Sequence, residues 1–261
     1  SEAVMGAVRV ARTVTGRDTV VFFAGDYHGV HDEVLLRGTL VDGARRSVPI
    51  APGIPREVGA NVVILDYGAP ESIDYLRRNG DTIAAVLVEP VQGRRPELQP
   101  VEFLKEVRAV TEKTGTALIF DEVITGFRCH PRGAQGLFGI QADLGTYGKV
   151  VAGGMPIGVI AGRSAYMDAF DGGMWSFGDD SKPEAGVTFF AGTFVRHPLA
   201  MAAARAVLLH LKSEGPGLQK RLNDRTARLA ADMNAFLRDR EIPRWVAQFS
   251  SVSYPHPAES F

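Results

Sequence analysis

The chain is 261 residues long, 45% apolar and 23% charged, with a net charge of -1 at pH 7. That apolar content is enough for a large buried core, and near-neutrality argues against a nucleic-acid footprint. A single cysteine, Cys129, excludes an internal disulfide framework and fits a reducing, cytoplasmic setting.

The first predicted element is a helix. Ala3, Val4, Ala7, Val8, Ala11 and Val14 recur at helical spacing between a capping Ser1 and a stop at Gly16. A β-rich run, TVVFFA (19–24), follows and ends in the turn-like GDYHG. Further strand-like runs are NVVILD (61–66), IAAVLVE (83–89), TALIFDE (116–122) and IGVIAG (157–162). Helical patterns lie between them, clearest over 101–114, where Phe103, Leu104, Val107 and Val110 share a face bounded by Pro100 and Gly115. Apolar strands alternating with amphipathic helices predict an α/β fold with a parallel sheet covered on both faces. After Pro198 the pattern changes to two long helices, 199–213 and 217–240, split by EGPG. A final β-like piece, RWVAQFSSVSY (244–254), has no following structure to complete it, so the chain reads as the central part of a larger unit.

The stretch 144–162 holds six glycines and one charge, Lys149. Gly and Pro interrupt it too often for a membrane span. A buried, unpaired ammonium costs several kcal/mol or loses its proton, so Lys149 either reaches solvent or is a reactive amine. In parallel α/β sheets ligands sit beyond the carboxyl ends of the strands, and Glu89, Asp121 and Lys149 all fall at such ends. An amine in an apolar, glycine-lined site is a candidate Schiff-base former. A carboxylate at a neighbouring strand end is the group that keeps a pyridinium nitrogen protonated. At an effective dielectric of about 20, an ion pair at 4 Å is worth roughly 4 kcal/mol, enough to decide that protonation state. The cofactor this pairing implies is pyridoxal 5'-phosphate. The histidines show no ligand spacing, so no metal site is expected. No glycine fingerprint follows a strand, so nicotinamide chemistry is unsupported.

Four segments carry a wider resemblance: SEAVMGAVRVARTVTGRDTVVFFAGDYHG, LIFDEVITGFR, DLGTYGKVVAGGMPIGVIAGR and AGTFVRHPLAMAAA. In order and spacing they resemble the landmarks of class III aminotransferases of fold type I, over almost the whole chain. The resemblance implies a cofactor-binding large domain over 1–197, lacking its N-terminal part. Residues 198–261 then hold linking helices and the start of a smaller C-terminal domain. It also implies Lys149 as the Schiff-base lysine and Asp121 as partner of the pyridine nitrogen. Val123 and Tyr27 fall on the two ring faces, with His28 beside Tyr27 as a hydrogen-bonding rather than catalytic residue. Ser1 matches a hydroxyl that binds the cofactor phosphate at a helix N-terminus, and Thr193 matches a threonine that reaches that phosphate across a homodimer interface. Glu89 and Gln92 of EPVQG match positions near the ring hydroxyl.

Two segments, EPVQGRRPELQP and FVRHPLAM, resemble the aminotransferase domains of hybrid polyketide and nonribosomal peptide synthases. That subgroup implies a glutamate or glutamine donor and a β-ketoacyl acceptor on an acyl carrier protein, with Arg94, Arg95 and Arg196 as candidate basic contacts. Glutamate-1-semialdehyde aminomutases share nearly every landmark and remain an alternative. A truncated, non-catalytic fragment is the alternative of another class.

Overall fold

The computed structural model describes residues 1–41, 44–184 and 186–257. Helix α1 (Glu2–Thr15) stops at Gly16, whose φ of 65° is the left-handed conformation that glycine adopts most readily. Strand β1 (Thr19–Phe23) follows, then an antiparallel pair, β2 (Leu36–Val41) and β3 (Ala44–Pro49). This pair is not among the strands expected from sequence, because LRGTLV and ARRSVP carry too few apolar residues to stand out. Next come β4 (Val62–Leu65), α2 (Pro70–Asn79), β5 (Ile83–Val88), α3 (Val101–Thr114), β6 (Ala117–Asp121), α4 (Gly133–Phe138), β7 (Leu144–Tyr147), β8 (Val159–Gly162) and α5 (Ser164–Met167). Helices α6 (Pro198–Glu214) and α7 (Pro216–Asp239) and strands β9 (Arg244–Phe249) and β10 (Val252–Pro257) complete the order.

The central sheet runs β4-β1-β5-β6-β7-β8 and is parallel throughout, except that β8 pairs antiparallel with β7. The strand expected at 157–162 is thus an antiparallel edge, and it is only partly covered. Alternation along each strand splits the core into two layers. Val20, Phe22, Leu87 and Ile119 face α1 through Val4, Val8 and Ala11. Val21, Phe23, Val88 and Phe120 face α2 and α3 through Ile73, Leu76, Leu104 and Val107. Every residue of β5 is buried, which is why it reads as an unbroken apolar run rather than an alternating one. Each large aliphatic side chain sequestered this way contributes about 1.5–3 kcal/mol.

The segment after Pro198 packs back onto this body. Ala204 of α6 meets Val151 and Ala152, and Gln219 of α7 donates to the Phe127 carbonyl at 3.2 Å. The final β-like piece does not end unpaired. It folds on itself at Ser250, φ 53°, so that β9 and β10 form a hairpin, and Phe249 joins Val91, Cys129 and Ala134. Residues 258–261, the end of the expected second segment, lie outside the described residues. Among the described residues no helix is long and apolar enough to cross a membrane.

The chain leaves β1 toward β4 on one side and returns through α2 to β5 on the other. The carboxyl ends of β1 and β5 therefore lie where the winding changes direction, the place where sheets of this kind bind their ligands.

Candidate active site

The loop leaving β1 supplies Asp26, Tyr27 and His28, and the end of β5 supplies Glu89. β6 ends on Asp121, and Lys149 follows β7. His28 is buried with both ring nitrogens engaged: Nδ1 lies 2.9 Å from Asp121 Oδ2 and Nε2 lies 3.3 Å from Asp26 Oδ2. Burial opposes charge on the ring, but its hydrogen bonds to Asp121 and Asp26, with the charges of both carboxylates, outweigh it and raise the imidazole to about 10. Burial likewise pushes the Asp121 carboxyl upward. The His28 hydrogen bond and charge, the Val123 N–H and the Thr146 hydroxyl more than reverse this and hold it below the ordinary carboxylate value.

Asp121 Oδ1 accepts from the Val123 N–H and the Thr146 hydroxyl, each at 3.1 Å. With His28 that makes three donors on a carboxylate that offers about four acceptor positions, and the residue keeps 5% exposure. One acceptor position thus remains for a further N–H donor. Asp121 does cap its own turn, through Val123, and it is also an anion held in place from three directions. Its neighbour Glu122 points elsewhere, accepting from the Thr125 hydroxyl at 2.7 Å and from the Ala134 and Gln135 N–H groups at 2.8 and 3.0 Å.

Among the described residues Glu89 has no ion-pair partner. Its Oε2 accepts the Tyr27 N–H at 2.7 Å and its Oε1 the Gly93 N–H at 3.4 Å. Burial, reinforced by the charge of Asp26, pushes this carboxyl up to about 8, against the opposing pull of His28 and the Tyr27 N–H. Gln92 is fully buried and reaches no open surface. Its amide nitrogen donates to the Ala24 carbonyl at 2.9 Å and to Asp26 Oδ1 at 2.8 Å, which locks the loop from below. The Tyr27 ring is 45% exposed, with the Arg94 guanidinium 5.7 Å from its centroid.

Ser1 does not cap α1 through its side chain. Its hydroxyl accepts the Val30 N–H at 3.1 Å, which ties the start of α1 to the same loop two residues past His28. Gly29, at φ 113°, makes this approach feasible, because a Cβ there would sit 2.7 Å from Ser1 Cα. The half-buried Val123 lies against Gly148, which precedes Lys149. Lys149 itself has φ 46°, an uncommon left-handed conformation for a side chain of this kind. Of the alternatives that the sequence leaves open for this amine, Lys149 reaches solvent: it is exposed. The apolar members of its run, Val151 and Ala152, turn inward against Ala204, which leaves Lys149 and the glycines at 153, 154 and 158 on the surface. Thr193 is exposed in the turn 193–196 ahead of α6 and makes no hydrogen bond to the other site residues.

Two members of the site had no sequence signal. Asp26 looks like an ordinary turn residue in GDYHG, and Thr146 enters only because β6 and β7 pair Asp121 with Thr146.

Comparison with known proteins gives a consistent relationship. The family model of Aminotransferase class-III matches residues 1–247. The glutamate-1-semialdehyde 2,1-aminomutase of Pyrobaculum aerophilum is 44% identical over 218 residues, which is 83% of this chain and 48% of that protein. A solved transaminase with PLP bound superposes with a TM-score of 0.80 at 33% identity, covering 95% of this chain and 56% of that one. The β-phenylalanine aminotransferase of Variovorax paradoxus superposes at 0.75 with 31% identity, over 99% of this chain and 54% of that one. The chain spans about half the length of the curated relatives it matches.

Proposed function

The chain belongs to the class-III aminotransferase family, and on that basis we propose that it binds pyridoxal 5'-phosphate and moves an amino group from a donor to a keto acceptor. The observation that carries this reading is Asp121, a buried anion with one acceptor position left at the carboxyl end of β6, next to the strand, β7, that Lys149 follows. When bound, the cofactor supplies an electrophilic carbonyl carbon and a ring that withdraws electrons once its nitrogen is protonated. Asp121 holds that proton at the ring nitrogen. Ser1 and the free N–H groups opening α1 hold the phosphate, and Tyr27 and Val123 flank the ring. Glu89 and Gln92 sit on the loop side. Lys149 Nζ is the covalent attachment point, and it then moves the proton at the substrate's amino-bearing carbon. The exposure of Lys149 suits this double role, because the amine has to be reached by the cofactor and then by substrate. The reducing cytoplasm suits the single buried Cys129 thiol.

For the acceptor we propose a β-ketoacyl thioester on an acyl carrier protein, within a polyketide or nonribosomal peptide synthase, with glutamate or glutamine as donor. The exposed Arg94 guanidinium lies 5.7 Å from the Tyr27 ring centroid and exposed Arg95 follows it in the chain, positive charge that an acidic carrier or its phosphopantetheine arm would meet. The likeness to an enzyme named for a β-amino acid supports chemistry at that carbon. A second reading, aminomutase action on glutamate semialdehyde, is favoured by the name of the Pyrobaculum relative. Full-length protein offered each substrate in turn separates the two, with mass spectrometry of the carrier-bound chain. A β-amino acyl product is expected. Rapid turnover of the semialdehyde with an unchanged thioester would give the case to the aminomutase.

We also propose a homodimer in which Thr193 serves the second copy's cofactor phosphate. The segment around it exposes Phe177 (98%), Phe189 (76%) and Phe194 (77%), an apolar load that a second copy would cover. Sedimentation of the full-length protein is expected to show a dimer at working concentration, and an active monomer would disprove the shared site.

A further inference from the structure

His28 is held between two acceptors. Asp121 Oδ2 faces Nδ1 and Asp26 Oδ2 faces Nε2, at 2.9 and 3.3 Å. A neutral imidazole has one N–H and one lone pair, so in either tautomer one ring nitrogen would point its lone pair at a carboxylate oxygen. With both carboxylates ionised, only the doubly protonated ring satisfies both neighbours. The surroundings of Asp26 suit it to act as the second acceptor. Its side chain is wholly buried, and Gln92 Nε2 donates to its Oδ1 at 2.8 Å. The Phe23 and Glu89 N–H groups lie 3.4 Å from its Oδ2. Gln92 donates to Asp26 and to the Ala24 carbonyl with one amide group, and its Oε1 is left without a partner. The amide orientation thus serves an acceptor at position 26.

We propose that Asp26 is a positioning residue for amino transfer: it keeps the His28 ring charged and oriented so that Nδ1–H is directed at Asp121, and thereby keeps Asp121 an anion toward the cofactor's ring nitrogen. This rests on the cofactor reading above. Besides Asp26 and Asp121, the titratable groups around the ring are Glu89, at the end of β5, and His31, on the same loop; Phe22 of β1 closes one side edge-on at 5.7 Å. Neither Glu89 nor His31 is within hydrogen-bond reach of the ring, so the proton on Nε2 depends on Asp26. Because the folded ring holds its proton up to about 10 against 6.5 for a free histidine, stability from this contact is complete below pH 6.5. It is lost as pH rises through 10.

The test is nitrogen NMR of histidine-labelled full-length protein, cofactor-free and cofactor-loaded, with His28 assigned by its absence in His28→Gln. In the unaltered protein His28 should stay doubly protonated at pH 8. Asp26→Asn matches the shape, removes the negative charge facing Nε2, and should drop the midpoint to about pH 8 or lower, with Nε2 unprotonated. In the loaded enzyme the alkaline limb of amino transfer should move down with it, with a rate loss of about tenfold at pH 8. Asp26→Ser, which removes the carboxylate with a smaller group, should move both readouts the same way if the asparagine variant folds poorly. A His28 that titrates near 6.5 in the unaltered protein overturns the proposal. So does a midpoint that stays near 10 in Asp26→Asn, even if the cofactor is attached at Lys149. Failure to attach the cofactor at Lys149 overturns the functional reading instead, even if His28 responds as expected.

Discussion

Lys149→Ala in the full-length protein is expected to abolish amino transfer, by more than about 10⁴-fold, with the fold intact. Two functions leave with one side chain, covalent attachment and proton transfer, and the second alone is worth about 10²–10⁴. The fold should tolerate the change because Lys149 is exposed and its removal opens no hole in the core. Alanine meets the same left-handed backbone cost as lysine at φ 46°, roughly 1–2 kcal/mol in either case. The companion measurement is borohydride reduction of the cofactor-loaded protein followed by peptide mapping. The adduct should fall on Lys149 and on none of the chain's other five lysines, two of which, Lys105 and Lys220, form surface ion pairs with Glu102 and Asp224. An adduct elsewhere, or a Lys149→Ala rate within tenfold of the unaltered protein, would remove the basis of the assignment.

Asp121→Asn should keep the cofactor and slow proton abstraction by about 10²–10³. The amide oxygen still accepts from Val123 and Thr146, so the turn at the end of β6 survives. The amide nitrogen, however, now faces His28 Nδ1, which must give up its proton and accept instead. The charge opposite the ring nitrogen disappears as well. An ion pair at 4 Å in an effective dielectric of about 20 is worth roughly 4 kcal/mol, and loss of 3–4 kcal/mol of stabilisation corresponds to that rate factor. Single-turnover half-reactions followed by absorbance measure it directly. Rates unchanged within a few-fold would reduce Asp121 to a turn cap. The Asp121 and Asp26 variants also differ diagnostically: both lower the His28 midpoint, but only Asp121→Asn removes the carboxylate itself.

Much of the frame is legible along the chain because it depends on short-range rules. The apolar runs at 19–24, 61–66, 83–89 and 116–122 could hardly be anything but buried strands, and helix 101–114 carries its own stops in Pro100 and Gly115. The runs that depart from expectation are those whose fate is set by partners distant in sequence. Residues 157–162 have the composition of a parallel core strand, yet they pair antiparallel at the sheet edge because the chain doubles back there. The β2–β3 pair is held by backbone hydrogen bonds that need no apolar signature. The last β-like piece finds its partner in its own continuation past Ser250.

Local periodicity is enough to establish the fold class, the order of most elements and the chemical identity of the groups at the strand ends. Asp121 and Lys149 are named in this way. The state of those groups arises only in three dimensions. Burial, hydrogen-bond direction and neighbouring charge are sums over residues far apart in the chain. Asp121 is an anion because His28, Val123 and Thr146 converge on it from a loop, a turn and a neighbouring strand. Lys149 is exposed because Val151 and Ala152, two and three residues on, are drawn inward by Ala204. Asp26 became part of the site for the same physical reason: its carboxylate lies where the ends of β1, β5 and β6 meet, and spacing along the chain carries no record of that meeting.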